Sequence, residues 1–310
     1  MESPAEFREA DLSIEATDRA DDGVLDAFYA AYDKAFVLAN EKEALEGFRE
    51  CLALNAGQAH ERLRARHGPF RELVLVARDD ARAVVGGANF IVIQHARDAA
   101  LGVGYTVNLN YLFVAPAQRG RSRSHTLLAA CRRLAEGIAA SWRAEGPPNS
   151  LFFLELNDPF RLTPEQYRLD TEHADIDQVS RLSYWARMGA TLLDWPYVQP
   201  ALSAEQRDDE TLAYAVLDAG VGHLPASLVL HHLERFFAIS VLKGAELQSS
   251  PSAWQQVRAL QRLAATHGAL ALLDLDRAGA LRDALSRTKD RPPSLQAALG
   301  GQRHERGATG

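Results

Sequence analysis

Leu112-Phe113-Val114-Ala115-Pro116-Ala117-Gln118-Arg119-Gly120-Arg121-Ser122-Arg123-Ser124-His125-Thr126-Leu127-Leu128 joins two apolar segments through a short run that carries three arginines. An apolar strand ending in Leu112, Phe113 and Val114 runs into a turn led by Pro116, then a small basic loop, then an amphipathic helix. A helix that opens near Ser122 to Ser124 has first-turn N–H groups without intrahelical partners. Those amides and the positive end of the helix dipole make an anion site. Arg119, Arg121 and Arg123 add guanidiniums suited to forked, charge-assisted bonds to phosphate oxygens. Strand, basic turn and helix together read as a pyrophosphate cradle. On their own, the same residues also fit a basic surface turn ahead of an ordinary helix.

Working upstream, Asp11 to Glu15 alternates as a short strand does. Leu25, Phe28, Ala31, Tyr32 and Phe36 recur at helical spacing between Asp21 and Val37, and further helices cover Glu41 to Ala53 and Gln58 to Arg66. Glu72 to Arg78 and Ala83 to Ile93 read as paired strands, with Gly86 and Gly87 marking a bulge or a close backbone approach. Tyr105 to Val114 completes the meander. Downstream, a helix from His125 to Trp142 stops at Glu145-Gly146-Pro147-Pro148. The near-continuous apolar run Ser150 to Leu156 fits a strand buried on both faces. Asp158 to Asp177 reads as a long acidic loop suited to attracting a cation, or simply as a solvated connection. A helix from Ile176 to Met188 and strands through Leu192 to Trp195 and Thr211 to Leu217 follow. Beyond them come two helices, Pro225 to Leu242 and Pro251 to Thr266, and a short apolar run, Ala269 to Asp274. From Arg287 the chain is polar and rich in Pro, Gly and Gln, the composition of a disordered tail.

The arginine stretch resembles the acyl-coenzyme A binding motif of the GCN5-related N-acetyltransferase (GNAT) superfamily. Arg119-Gly120-Arg121-Ser122-Arg123-Ser124 stands where that family has Arg-Gly-x-Gly-x-Gly/Ala, with serines at two glycine positions. Serine can cap a helix, but it lacks the easy access to positive φ that glycine has. The element order from Asp11 to Leu217 is that of the acetyltransferase fold. The resemblance therefore implies an α/β (α+β) fold: a mixed, mostly antiparallel central sheet flanked by helices over residues 1–218. Residues 219–286 read as a helical C-terminal extension, either packed on the catalytic fold or forming a homodimer surface, and 287–310 as a disordered tail. The implied co-substrate is acetyl-CoA (coenzyme A), held by Leu112, Phe113, Val114, Arg119, Gly120, Arg121, Ser122, Arg123, Ser124 and Asn157. The implied activity is N-acetyl transfer to a primary amine by direct attack in a ternary complex. The acceptor is a small-molecule or protein amine.

Acyl transfer from a thioester to an amine needs a polarised carbonyl, a base for the ammonium and an acid for the leaving thiolate. The family often supplies the base as a glutamate on its fourth strand, yet Tyr105 to Val114 contains no carboxylate. Glu155, inside the apolar run, is the first candidate for the base, because burial raises a carboxyl pKa. It equally fits a glutamate pointing out of a half-covered strand or paired with an arginine. Asp158 is a weaker candidate. The family's acid is the Tyr of Tyr-x-x-x-Gly-Phe. Counting back from Gly189 reaches Trp185, whose indole only donates a hydrogen bond. Tyr184 lies about 100° away around the helix, so it is the acid through a local irregularity, or solvent protonates the thiolate. Trp185 then packs against the acyl site, and Tyr167 and Tyr197 shape the acceptor pocket. The alternatives to an enzyme are a noncatalytic acyl-CoA binding or regulatory module and an interaction protein acting through its C-terminal helices.

Composition sets outer limits. The 310 residues are 47% hydrophobic and 24% charged, as in a globular protein. A net charge of -7 argues against nucleic-acid binding. No apolar run is long enough for a bilayer, and Met1 to Glu6 lacks the character of a secretory signal, so a cytoplasmic setting is expected. Cys51 and Cys131 sit in helical patterns as buried reduced thiols. His231 and His232 diverge on their helix, and no His/Cys cluster has metal-ligand spacing.

Overall fold

A computed structural model describes residues 5–95, 101–142 and 149–300. Strands β1 (Ala5–Glu9) and β2 (Leu12–Thr17) form a hairpin. Helices α1 (Gly23–Ala35), α2 (Leu45–Ala53) and α3 (Gly57–His67) precede the meander β3 (Phe70–Arg78), β4 (Val84–Gln94) and β5 (Val103–Val114). Helix α4 (Arg123–Ser141) crosses over to β6 (Asn149–Asn157); α5 (Pro164–Ala174) and α6 (Gln178–Arg187) then lead to β7 (Ala190–Leu193) and β8 (Leu212–Leu217). The remaining third is β9 (His223–Pro225), α7 (Ala226–Phe236), α8 (Pro251–Ala265), β10 (Ala269–Asp274) and α9 (Ala278–Ser286). The strands lie in the order β1-β2-β3-β4-β5-β6-β8-β7-β10-β9. Every pairing among the described strands is antiparallel except β5 with β6. This is the mixed, mostly antiparallel sheet flanked by helices that the resemblance implies.

Alternating side chains on the central strands give the sheet two buried faces. On one, α1 starts where the Asp22 carboxylate accepts from the Val24 N–H, and it buries Leu25, Phe28 and Tyr32 against Val74 and Val76. On the other, α4 lays Leu127, Cys131, Leu134 and Ile138 over Leu75, Phe90 and Val92. Gly86 is required here: a Cβ would stand 2.5 Å from the Phe113 carbonyl oxygen and 2.9 Å from Leu127 Cδ1. Its missing side chain lets α4 settle on the strands that deliver the arginine loop.

The structure corrects several expectations. Residues 158–177 are not a plain loop, because Thr163 and Gln166 form a reciprocal capping box with Pro164 in the first turn of α5. The extension is not purely helical. β10 pairs with β7 and β9 with β10, so the sheet runs on past the β7 edge, which would otherwise present unpaired backbone. Helix α7 continues into a π-helical turn, Phe237–Val241, all five residues buried. The tail is ordered as far as Gly300: Leu295, Ala298 and Leu299, spaced to share one helical face, join the core cluster containing Phe160 and Leu182. The Leu295 N–H donates to Asp158 Oδ2 at 2.8 Å. Residues 301–310 lie outside the described residues. No helix among the described residues is long and apolar enough to cross a membrane. Nor does any group of three or more His, Cys, Asp or Glu among them stand ready to hold a metal ion.

Leu295 is fully buried, so Leu295→Ala is expected to lower unfolding free energy by about 3 kcal/mol in urea titrations. An unchanged midpoint would mean that the segment is not docked.

Candidate active site

β5 and β6 run side by side from Val103 and Asn149 only as far as Leu109 and Leu154. Beyond that point β5 follows β4, and β6 follows β8. The divergence begins at a bulge: Phe90 faces Leu109 and Asn89 faces Tyr111, leaving Asn110 as the extra residue. A cavity of about 180 Å³ occupies the opening. It is lined from both faces of the sheet, by Leu112, Leu182 and Trp185 on the α4/α6 side and by Phe36, Glu41 and Phe48 on the α1/α2 side.

The arginine loop follows directly from the end of β5, and none of its residues is among those lining the cavity. Gly120 has φ 75° and Ser122 φ 56°, so Ser122 occupies the left-handed region where the family motif has glycine. No cap bond from its hydroxyl compensates, and the conformation costs about 1 kcal/mol. The N–H groups of His125 and Thr126 both donate to the Ser122 carbonyl. Among the described residues, no backbone carbonyl accepts from the amides of residues 120–124. The three guanidiniums do not converge. Arg119 Nη1 donates to the Ala174 carbonyl at 2.6 Å, where it complements the C-terminal end of α5. Arg123 pairs with Asp11. Arg121 is exposed and forms no ion pair among the described residues.

The Tyr184 hydroxyl bonds to that of Ser124 and lies 3.5 Å from His125 Nδ1, so it reaches the first turn of α4 while Trp185 faces the cavity. Phe113 turns to the other side and packs on Phe28, with ring centroids 5.7 Å apart. Val114 is half-buried against the α4 core.

Glu155 lines the cavity, and its Oε1 accepts from the Tyr197 hydroxyl. Burial pushes its carboxyl up to about 7, against the downward pull of that bond. Asp158 is elsewhere: its carboxylate accepts from the Phe160 and Leu295 N–H groups at 2.9 and 2.8 Å, so its work is to anchor the C-terminal segment. Tyr167 is not among the cavity's lining residues. Asn157 lines the cavity and hydrogen-bonds to the Glu41 carboxyl.

Glu41 is a residue that sequence reasoning missed. It ends a short 3-10 turn, Ala39–Glu41, whose position is set by aromatic hydroxyls. Tyr111 donates to the Glu41 carbonyl at 3.0 Å, and the Glu43 N–H donates to the Tyr32 hydroxyl at 2.8 Å. Burial, reinforced by the nearby Asp170 carboxylate, pushes the Glu41 carboxyl up to about 8. Glu72, also on the wall, is raised by burial but accepts from Ser240, Asn89 and Asn110. Glu43 pairs with Lys243 at 2.8 Å. The local sequence around Glu41 carries no motif; only its contact with a strand 70 positions away identifies it.

Two expected outcomes follow from this chemistry. Ser122→Gly should stabilise the fold by about 0.5–1 kcal/mol, relieved strain exceeding the entropy cost of glycine; a lower urea midpoint would contradict the strained cradle. The second concerns pH. Glu155 and Glu41 titrate near 7 and 8 in the fold, against about 4.3 unfolded, so their contribution is present at low pH and lost as pH rises through those values. His95 and His67 are depressed to about 3 and 4 by burial, so their contribution is lost as pH falls below about 6.5. Only the carboxyls act above that pH. The urea midpoint is expected to fall between about pH 6.5 and 8.5, and less steeply in Glu155→Gln. A flat wild-type profile would count against neutral buried carboxyls.

No protein-family model matches this chain, and no curated protein matches it in sequence. Solved structures do. The ribosomal-protein-S18-alanine N-acetyltransferase from Escherichia coli is similar at 13% identity and a TM-score of 0.36, over 66% of this chain and 92% of that one. Arabidopsis thaliana Naa50, in complex with the bisubstrate analogue CoA-Ac-MVNAL, is similar at 12% and 0.36, over 66% and 97%. A tandem GNAT protein from the clavulanic acid biosynthesis pathway is similar at 17% and 0.40, over 61% and 46%. Identities and scores this low say nothing of substrate. With the β3-β4-β5 meander, one parallel pair that splays beside a basic loop, and the crossover helix between its strands, the chain has a GNAT-like fold.

Proposed function

We propose that this chain is an acetyl-CoA dependent N-acyltransferase that passes an acetyl group to a primary amine by direct attack. The observation that carries this reading is the cavity at the β5/β6 divergence, lined from both faces of the sheet, with buried carboxyls in its wall and a basic loop at the end of the strand that enters it. The amides of residues 120–124 and the Arg121 guanidinium suit a pyrophosphate. Beyond Leu109 no strand among the described residues pairs with the β6-facing edge of β5, so backbone groups around Leu112 suit an amide-bearing arm. Arg119 and Arg123 serve the fold instead.

When bound, the thioester supplies an activated acyl group: a C–N bond forms as the C–S bond breaks, one proton leaves the amine and one reaches the sulfur. Glu155, titrating near 7, is matched to taking the ammonium proton at neutral pH. Trp185 walls the acyl end without titrating, and Tyr184, on α6, brings its hydroxyl to that of Ser124 at the first turn of α4. Cys51 lines the far wall, but burial pushes its thiol up and its S–H donates to the Ser240 carbonyl. A thiol so held is not a nucleophile, which favours direct attack over a covalent acyl-enzyme. The displacement of Arg119 and Arg123 from the cradle favours the second reading, an acyl-CoA binding module without turnover.

Calorimetry with acetyl-CoA, followed by thiol-release assays over a panel of amines, separates the two. Arg121→Ala is expected to weaken acetyl-CoA binding by about 1.5–3 kcal/mol. Glu155→Gln should cut turnover, leave acetyl-CoA affinity unchanged and remove the pH limb near 7. Binding without turnover would select the binding module. Absence of acetyl-CoA binding would reject both readings.

A further inference from the structure

We infer that the acceptor is a small aliphatic primary amine, bound as its ammonium at Glu41 in the cavity that Glu155 also lines. The inference rests on the acyltransferase reading and adds to it the substrate class and a second carboxylate.

Glu41 Oε1 is shielded from solvent and has no hydrogen-bond partner among the described residues. A buried carboxyl oxygen left bare is costly, and here it belongs to a cavity-lining side chain. Glu155 enters the same cavity from β6 with one oxygen engaged by Tyr197. Arg181 lines the cavity and its charge reaches Glu41, but its ion pair is with Asp170 at 2.8 Å, and Lys243 pairs with Glu43 at 2.8 Å. No ion pair among the described residues reaches Glu41 or Glu155. Asn157 serves the Glu41 carboxyl but leaves Oε1 without a donor, which one of the three N–H groups of a ligand ammonium supplies. It also reverses the desolvation that keeps these carboxyls neutral.

Size limits the rest of the molecule. An apolar cavity of about 150 Å³ holds benzene, so 180 Å³ admits a body of roughly seven heavy atoms. Phe36, Phe48, Tyr111 and Leu212 give that body an apolar surface. A polypeptide terminus, with a polar backbone continuing from its first residue, is poorly matched to such a chamber.

The test uses the full chain and three probes: n-pentylammonium, its neutral counterpart n-pentanol, and an alanine-led tetrapeptide amide. Binding is read by saturation-transfer NMR, with acetyl-CoA affinity measured separately by calorimetry. The expected result is that n-pentylammonium binds at least about tenfold more tightly than n-pentanol and the tetrapeptide. Glu41→Gln should weaken it by at least about tenfold while acetyl-CoA affinity stays the same. Equal binding of amine and alcohol, tighter binding of the tetrapeptide, or indifference to Glu41→Gln would each overturn the inference. Should that variant fail to fold, the comparison of amine with alcohol on the unaltered chain decides alone. Amine binding as expected without acetyl-CoA binding would retain the ammonium site and reject the acyltransferase reading.

Discussion

β5 carries one residue more than β4 can pair, and most of the functional architecture is a response to that surplus. Asn110 sits in the bulge with its amide donating to Asn89 Oδ1 at 2.9 Å and Glu72 Oε1 at 3.2 Å. Its own oxygen accepts from Asn108 at 2.8 Å. From Asn108 the chain of polar groups continues to the Tyr214 hydroxyl, then to His232 Nε2 at 2.8 Å. His232 Nδ1 meets Thr106 Oγ1, and Thr106 meets His95 Nε2, both at 2.7 Å. This ladder ties β3, β4, β5, β8 and α7 together beneath the cavity. A buried network of this kind is stable only when each member finds its partner, so it fixes the register of four strands as firmly as apolar packing does. The same burial holds His232 and His95 in their neutral forms.

The site draws on the whole chain. Its back wall, Phe236, Ser240 and Val241, comes from α7 and its π-helical turn, a distortion of the kind often found where a helix meets a functional site. Ser240 touches both Cys51 and Glu72, and Lys243 holds Glu43 beside the turn that carries Glu41. The C-terminal third therefore closes one side of the cavity as well as extending the sheet.

Periodicity and punctuation in the sequence located most elements from Leu12 to Leu217, because amphipathic patterns and Gly/Pro breaks are local signals. The need for positive φ at Ser122 was likewise legible, since it follows from the glycine motif it replaces. Helix α5 was within reach too: Thr163-Pro164 followed by Gln166 is a capping signal, hidden by the acidic composition around it. Composition also misled at Arg287 to Gly300, where three apolar residues with helical spacing outweigh their polar setting. What could not be read locally was direction. That Arg119 caps α5, that Arg123 turns to Asp11 and that Glu41 faces a cavity are facts about segments far apart in the chain.

The contacts that complete the cavity's back wall join residues very distant in sequence: 168 positions separate Glu72 from Ser240, and 189 separate Cys51 from Ser240. Bringing such distant points together carries the largest loop-closure entropy, and it comes late when a chain folds as it is made. The arginine loop and the β5/β6 pair precede those closures by most of a domain's length. A nascent chain thus completes its basic loop while Glu72 and the bulge still face water, and the cavity closes only when α7 arrives. Order of synthesis sets order of assembly: the basic loop is made first, and the wall that α7 gives the cavity is made last.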